Sequence, residues 1–102
     1  MIHIEERHWK IVQEILKQYP YTFYAFGSRV KGGEKRFSDL DLCFKDPIPA
    51  NVQAHIDEDF EESDLPFKVD VIDWNLMPSD FHKLIQNDLI LVQNGSKIEE
   101  KT

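Results

Sequence analysis

The sequence predicts a compact α/β layer fold of the α+β kind, with helices covering a small sheet. Three observations predict it. Apolar residues recur at helical spacing near the start, three short apolar runs are broken off by glycine and proline, and together these give the order α-β-(short α)-β-α-β-α.

Each element has its own signal. Residues 4–18 read as a helix, because Ile4, His8, Ile11, Ile15 and Tyr19 share one stripe and Val12 and Leu16 widen it. Tyr19-Pro20 ends it, since a proline pushes the residue before it out of helical geometry. Tyr21 to Phe26 is an apolar, aromatic run between Pro20 and Gly27, as in a buried strand. Gly27 to Phe37 is polar and basic, predicting a turn, a short helix and a loop. Ser38 to Phe44 is the next strand, broken by Lys45-Asp46-Pro47-Ile48-Pro49. Residues 50–62 carry Val52, Ile56 and Phe60 at helical spacing, and Phe67 to Trp74 is a third strand rich in β-branched residues. Pro78-Ser79-Asp80 opens a last helix with Ser79 as a cap and Phe81, Leu84, Ile85 and Leu89 inward. Ile90 to Gln93 adds a short terminal strand. The whole chain, 1–102, reads as one domain with a frayed tail over 95–102.

Composition narrows the function. Hydrophobic residues make up 41% and aromatics 12%, which suits a packed core and not a disordered chain. Nineteen acidic against twelve basic residues give a net charge of −7, which disfavours free nucleic acid and anionic membranes as partners. No stretch approaches the roughly 18 apolar residues of a membrane span, and the start shows no secretory pattern. Cys43 is the one cysteine, so no disulfide forms within the chain, and a cytoplasmic location is expected.

The chemistry concentrates in Ser38-Asp39-Leu40-Asp41-Leu42-Cys43-Phe44. Strand side chains alternate, so Asp39, Asp41 and Cys43 share one face and Leu40, Leu42 and Phe44 the other. Two carboxylates side by side repel, and each raises the other's pKa. A divalent cation removes that penalty, and oxygen ligands suit Mg²⁺ or Mn²⁺. Asp70, between Val69 and Val71, has the parity to join them, which makes Asp39, Asp41 and Asp70 the candidate catalytic and metal-binding trio. Asp73 has the other parity and reads as a turn or capping residue.

The Gly27-Ser28 turn follows a strand and precedes a short helix. Glycine lets backbone approach phosphate oxygens closely, and amides at a helix start attract anions. Arg29, Lys31, Lys35 and Arg36 form a basic island in an acidic chain. Gly27, Ser28, Arg29, Lys31, Arg36 and Ser38 are therefore the candidate nucleotide-binding residues. Alone, a Gly-Ser is more often a plain turn, and an Asp-x-Asp on an exposed strand face is more often just solvated. Their combination in one short segment, with Asp70, is what points to a metal-bound triphosphate.

Gly27-Ser28, ten intervening residues and then Asp39-x-Asp41 resembles the signature of the DNA polymerase β-like nucleotidyltransferase superfamily. Phe26-Gly27-Ser28-Arg29-Val30-Lys31-Gly32, followed by Ser38-Asp39-Leu40-Asp41-Leu42, resembles its minimal nucleotidyltransferase branch. That branch includes antitoxins of HEPN/MNT toxin–antitoxin modules and small subunits of two-component nucleotidyltransferases. Glu62-Ser63-Asp64-Leu65-Pro66 and Val69-Asp70-Val71-Ile72-Asp73-Trp74 resemble the bacterial small subunits, and the similarity covers nearly the whole chain.

The resemblance implies a mixed sheet flanked by helices and two Mg²⁺ (or Mn²⁺) ions per site. Asp39 and Asp41 would hold both ions, and Asp70 would join the one that activates an acceptor hydroxyl. Gly27 and Ser28 would bind the β- and γ-phosphates of an NTP, with ATP the expected one. In-line attack on the α-phosphate would release pyrophosphate. Some members add AMP to a tyrosine of a HEPN partner. About 100 residues leave little room for a second lobe, so a helical HEPN-like or substrate-binding subunit, or a homodimer mate, is the expected source of the acceptor. The runner-up is an antitoxin that neutralises a HEPN toxin by AMPylation or by occlusion.

Other features read as structural. The acidic run Asp57 to Asp64 is a solvated helix face. His3, His8, His55 and His82 lack zinc-ligand spacing. Cys43 reads as a small strand residue at the edge of the site, and Trp9 and Trp74 as core or interface anchors.

Overall fold

The structure, a computed structural model, describes residues 2–95. Four helices, α1 (Glu6–Leu16), α2 (Ser28–Lys31), α3 (Ala50–Glu61) and α4 (Ser79–Ile85), alternate with four strands, β1 (Phe23–Phe26), β2 (Leu40–Phe44), β3 (Val69–Asp73) and β4 (Ile90–Gln93). Short 3₁₀ turns at Trp74–Leu76 and Gln86–Asp88 flank α4. The sheet runs β3-β2-β1-β4. β1 pairs antiparallel with both β2 and β4, while β2 and β3 are parallel. This is the mixed sheet with flanking helices that the resemblance implies. Among the described residues no helix is long and apolar enough to cross a membrane.

The expected elements form, with trimmed ends. β1 starts at Phe23, two residues late, because the Thr22 amide donates to the Asp46 carboxylate and not to a strand neighbour. Ile4 and Tyr19 lie outside α1 yet still pack on the core. α4 does not use Ser79 as its cap: Pro78 occupies that position, with no side-chain hydrogen bond. Leu84, expected inward, is 70% exposed, while Phe81 is 37% exposed and sets its ring edge-on against Phe26. Ile85 is the buried residue of this seven-residue helix.

The core explains the positions of the polar residues. Leu40, Leu42 and Phe44 of β2 point to the face covered by α1 and α3, together with Phe23 and Ala25 of β1 and Val69 of β3. Full burial of one such Phe or Leu contributes roughly 1.5–3 kcal/mol. The two helices are tied by the Tyr19 hydroxyl, which donates to the Asp59 carboxylate. Burial first, and then that hydrogen bond, pushes the Tyr19 pKa up to about 12.

The second face of the sheet also carries apolar cover. Phe26, Cys43, Met77 and Ile85 form a smaller cluster there, with Tyr24, Ile72, Trp74 and Leu89 packed against it. Trp74 is an anchor as expected, with the His82 ring stacked on it at 4.1 Å.

β4 is locked from the far end of the chain. The Gln93 side-chain amide donates to the carbonyls of Leu16, Tyr19 and Tyr21 at 2.9–3.0 Å. It thereby closes the α1–β1 turn onto the last strand. Gln93→Ala leaves those part-buried acceptors without their donor, so a loss of about 1–3 kcal/mol is expected. Urea melts check this. Gly95, at the start of the expected frayed tail, is buried, and its amide donates to the Thr22 hydroxyl. The rest of that tail lies outside the described residues.

Candidate active site

The parallel β2–β3 register sets Asp41 directly opposite Asp70, with Leu40 opposite Val69 and Leu42 opposite Val71. Partners in register point to the same face, so the two carboxylates share the face away from α1 and α3. Phe26 stands opposite Asp41 across the β1–β2 pair. Asp41 is therefore half-buried at the sheet centre, between an aromatic ring and a second acid. Burial, then the charge of Asp70, then that of Asp39, raises its pKa from 3.8 to about 6. Asp39 precedes the first strand pair and is exposed.

Among the described residues, no three His, Cys, Asp or Glu side chains are arranged to hold a metal ion as they stand. Asp39 points to solvent at the rim, and Asp70 is engaged by the Lys68 ammonium at 3.3 Å. The sequence reading missed Lys68. Its signal was the parity it shares with Asp70, two residues on.

Gly27 makes the corner at the end of β1. Its φ of +86° lies in the region that suits glycine, and a Cβ there would collide with Asp41 Oδ2. The turn and the central carboxylate are thus in direct contact. Ser28 opens α2, where the Val30 and Lys31 amides close onto the Gly27 carbonyl at 3.0 Å.

The basic residues divide. Lys31 reaches Asp88 at 3.4 Å, and Arg36 lies exposed over the Phe37 ring. Arg29 departs from the expected phosphate-facing island. It is 5% exposed, and its guanidinium donates to the carbonyls of Ser38, His3 and Arg36. Its planar face lies 4.2 Å from the centre of the Phe67 ring. Three of its five N–H groups are thus spent on backbone carbonyls and its face on an aromatic ring, as burial of a charge requires. Arg29 therefore staples the 29–38 loop. Ser38 belongs to the same staple: its hydroxyl accepts from the Lys35 amide at 2.7 Å and its carbonyl from Arg29.

Cys43 is fully buried in the second-face cluster and not at the edge of the site. Burial pushes its thiol up to about 11. Native protein at pH 8 should accordingly leave Ellman's reagent unreacted, with full labelling only in denaturant.

Comparison with known proteins follows this geometry. Residues 10–97 match the family described as Polymerase beta, Nucleotidyltransferase. "Probable protein adenylyltransferase MntA" of Haemophilus influenzae is 39% identical over 104 residues, covering 98% of this chain and 91% of its own. A crystal structure of a toxin–antitoxin with AMP-PNP superposes with a TM-score of 0.64 at 17% identity, over 91% of this chain and 82% of that one. A crystal structure from Shewanella oneidensis gives 0.54 at 12% identity, over 94% and 78%. These two likenesses speak for the fold. The family match spans most of the sequence and the Haemophilus relative agrees along nearly all of it, so this chain belongs to the Polymerase beta family and is a nucleotidyltransferase.

Proposed function

We propose that the chain transfers AMP from ATP to a hydroxyl of a helical partner protein, with Mg²⁺ or Mn²⁺ held by Asp39, Asp41 and Asp70. The observation that carries the reading is the facing pair Asp41 and Asp70, with the Gly27 corner against Asp41. The donor set fits a hard divalent cation. It is all oxygen, and the burial and the neighbouring charges of Asp70 and Asp39 that raise the Asp41 pKa are the penalty a cation would relieve. Bound there, two such ions would supply charge neutralisation for the attacking and leaving oxygens.

The chain's own residues do the rest. Gly27 and Ser28 present backbone and a hydroxyl to the β- and γ-phosphates, with Lys31 and Arg36 as nearby cations. Asp70 accepts the proton of the acceptor hydroxyl. That oxygen forms its bond to the α-phosphorus as the bond to the β-phosphate oxygen breaks, and pyrophosphate leaves. The adenylyl group and the protein acceptor are supported by the 39% identical relative, whose name describes a protein adenylyltransferase.

A second reading, an antitoxin acting by AMPylation or occlusion of a HEPN-like toxin, is favoured by the toxin–antitoxin fold neighbour and by the exposed Leu76 and Leu84. The chain would act as one catalytic domain, in the cytoplasm, with that partner or as a homodimer.

The test is label transfer from α-labelled ATP to the product of the adjacent gene, with Mg²⁺. Transfer that disappears in Asp39→Asn and Asp41→Asn supports the enzyme. Neutralisation that survives both substitutions, without label, replaces it with occlusion.

A further inference from the structure

The parallel register of β2 and β3 begins at Leu40 and Val69. Leu40 faces Val69, and the Leu40 amide donates to the Lys68 carbonyl at 2.9 Å. Asp39 and Lys68 are the residues just before this first pair, as Asp41 and Asp70 are the pair just after it. These four positions hold three carboxylates and one ammonium. Lys68 is two residues from Asp70, and its Nζ lies 3.3 Å from Asp70 Oδ1. Asp57 of α3 lies within electrostatic reach of this pair: burial, then Glu61, then Asp70 raise its pKa, and Lys68 lowers it.

We propose that Lys68 is a built-in counter-ion that occupies Asp70 in the metal-free protein and competes with the divalent cation for it, so that it sets the metal concentration at which the site fills. The inference rests on the reading of Asp39, Asp41 and Asp70 as the metal-binding carboxylates. Two facts carry it. The ammonium holds Asp70 Oδ1 and its positive charge repels an incoming cation, so the site fills more readily once Lys68 moves off. The lysine is largely exposed, so it has a solvated position to move to. Its other consequence is protective. Without a cation, three acids in one corner repel, and a tethered ammonium offsets part of that repulsion. A divalent ion therefore displaces a resident charge rather than entering an empty one.

The experiment measures Mn²⁺ binding by the full chain without nucleotide, from the loss of the free-Mn²⁺ electron paramagnetic resonance signal. Wild type, Lys68→Gln, Lys68→Arg, Asp70→Asn and Asp41→Asn are compared. Lys68→Gln should bind Mn²⁺ at least threefold more tightly than wild type, and Lys68→Arg should stay near wild type. In EDTA, Lys68→Gln should melt lower than wild type, and it should gain more on Mn²⁺ addition. Unchanged or weaker Mn²⁺ binding by Lys68→Gln overturns the inference. So does a raised KM for ATP at saturating Mn²⁺ with no change in metal affinity, which would make Lys68 a phosphate ligand. If Asp41→Asn and Asp70→Asn bind Mn²⁺ as wild type does, the carboxylate reading itself falls and the inference with it. Loss of binding in those two alongside an unresponsive Lys68→Gln removes only the counter-ion.

Discussion

Asp41→Asn should lose nucleotidyl transfer by about three orders of magnitude, which is roughly 4 kcal/mol of transition-state stabilisation. Asp41 is the one acid that touches the Gly27 corner, faces Asp70 and feels Asp39. Removing its charge removes the centre of the trio. Steady-state rates with α-labelled ATP, over a Mg²⁺ series, measure the loss.

The same substitution should act in the opposite direction on stability. The folded-state pKa of Asp41 is raised to about 6 from 3.8, so the folded protein holds the proton more tightly than the unfolded chain. The resulting stabilisation is complete below about pH 4 and is lost as pH rises through about 6. Above that, the buried charge opposes folding. Asp41→Asn should therefore melt higher than wild type in EDTA at pH 7.5, and the gap should close near pH 4. A variant that melts lower at both pH values would contradict this account of the site's electrostatics.

Gly27→Ala should be nearly as damaging to activity, while the chain still folds. The added methyl meets the end of the Asp41 side chain, which can rotate away, so the clash is relieved by moving the catalytic carboxylate. The positive φ adds strain on the order of 1–3 kcal/mol. Denaturation midpoints should show that modest loss, while transfer falls about a hundredfold or more, since misplacement by about an ångström costs that much. The double variant Gly27→Ala, Asp41→Ala removes the collision and keeps the strained backbone. It should recover only part of the stability, and Gly27→Ala in an already inactive Asp41→Ala background should change no rate.

How much of this was readable beforehand depends on the range of each interaction. The alternation Leu40-Asp41-Leu42 is a local signal, and it assigned the acid face of β2 correctly. Asp70 followed from parity because Val69 and Val71 left it one choice of face. Asp73 caps the turn after β3, accepting from the Asn75 amide, as its parity suggested. Arg29 was misread because its partners lie far off in sequence. No local pattern announces that the Phe67 ring and three carbonyls will surround a guanidinium. Leu84 was misread because periodicity says which residues share a stripe, not how much protein lies under it. Lys68 shares the parity of Asp70, but its ion pair with that acid and its nearness to β2 needed the parallel pairing of β2 with β3, a tertiary fact.

The Arg29 guanidinium grips three pieces of backbone at once: the segment before α1 at His3, the loop at Arg36, and the residue just ahead of the first acid at Ser38. The His3 amide in turn donates to the Arg29 carbonyl at 2.6 Å. Tension on residues 2–5 is thereby transmitted mechanically into the spacing between the Gly-Ser corner and Asp39. A bulky group there, or a binding protein that peels the segment away, would detune catalysis without touching Asp39, Asp41 or Asp70.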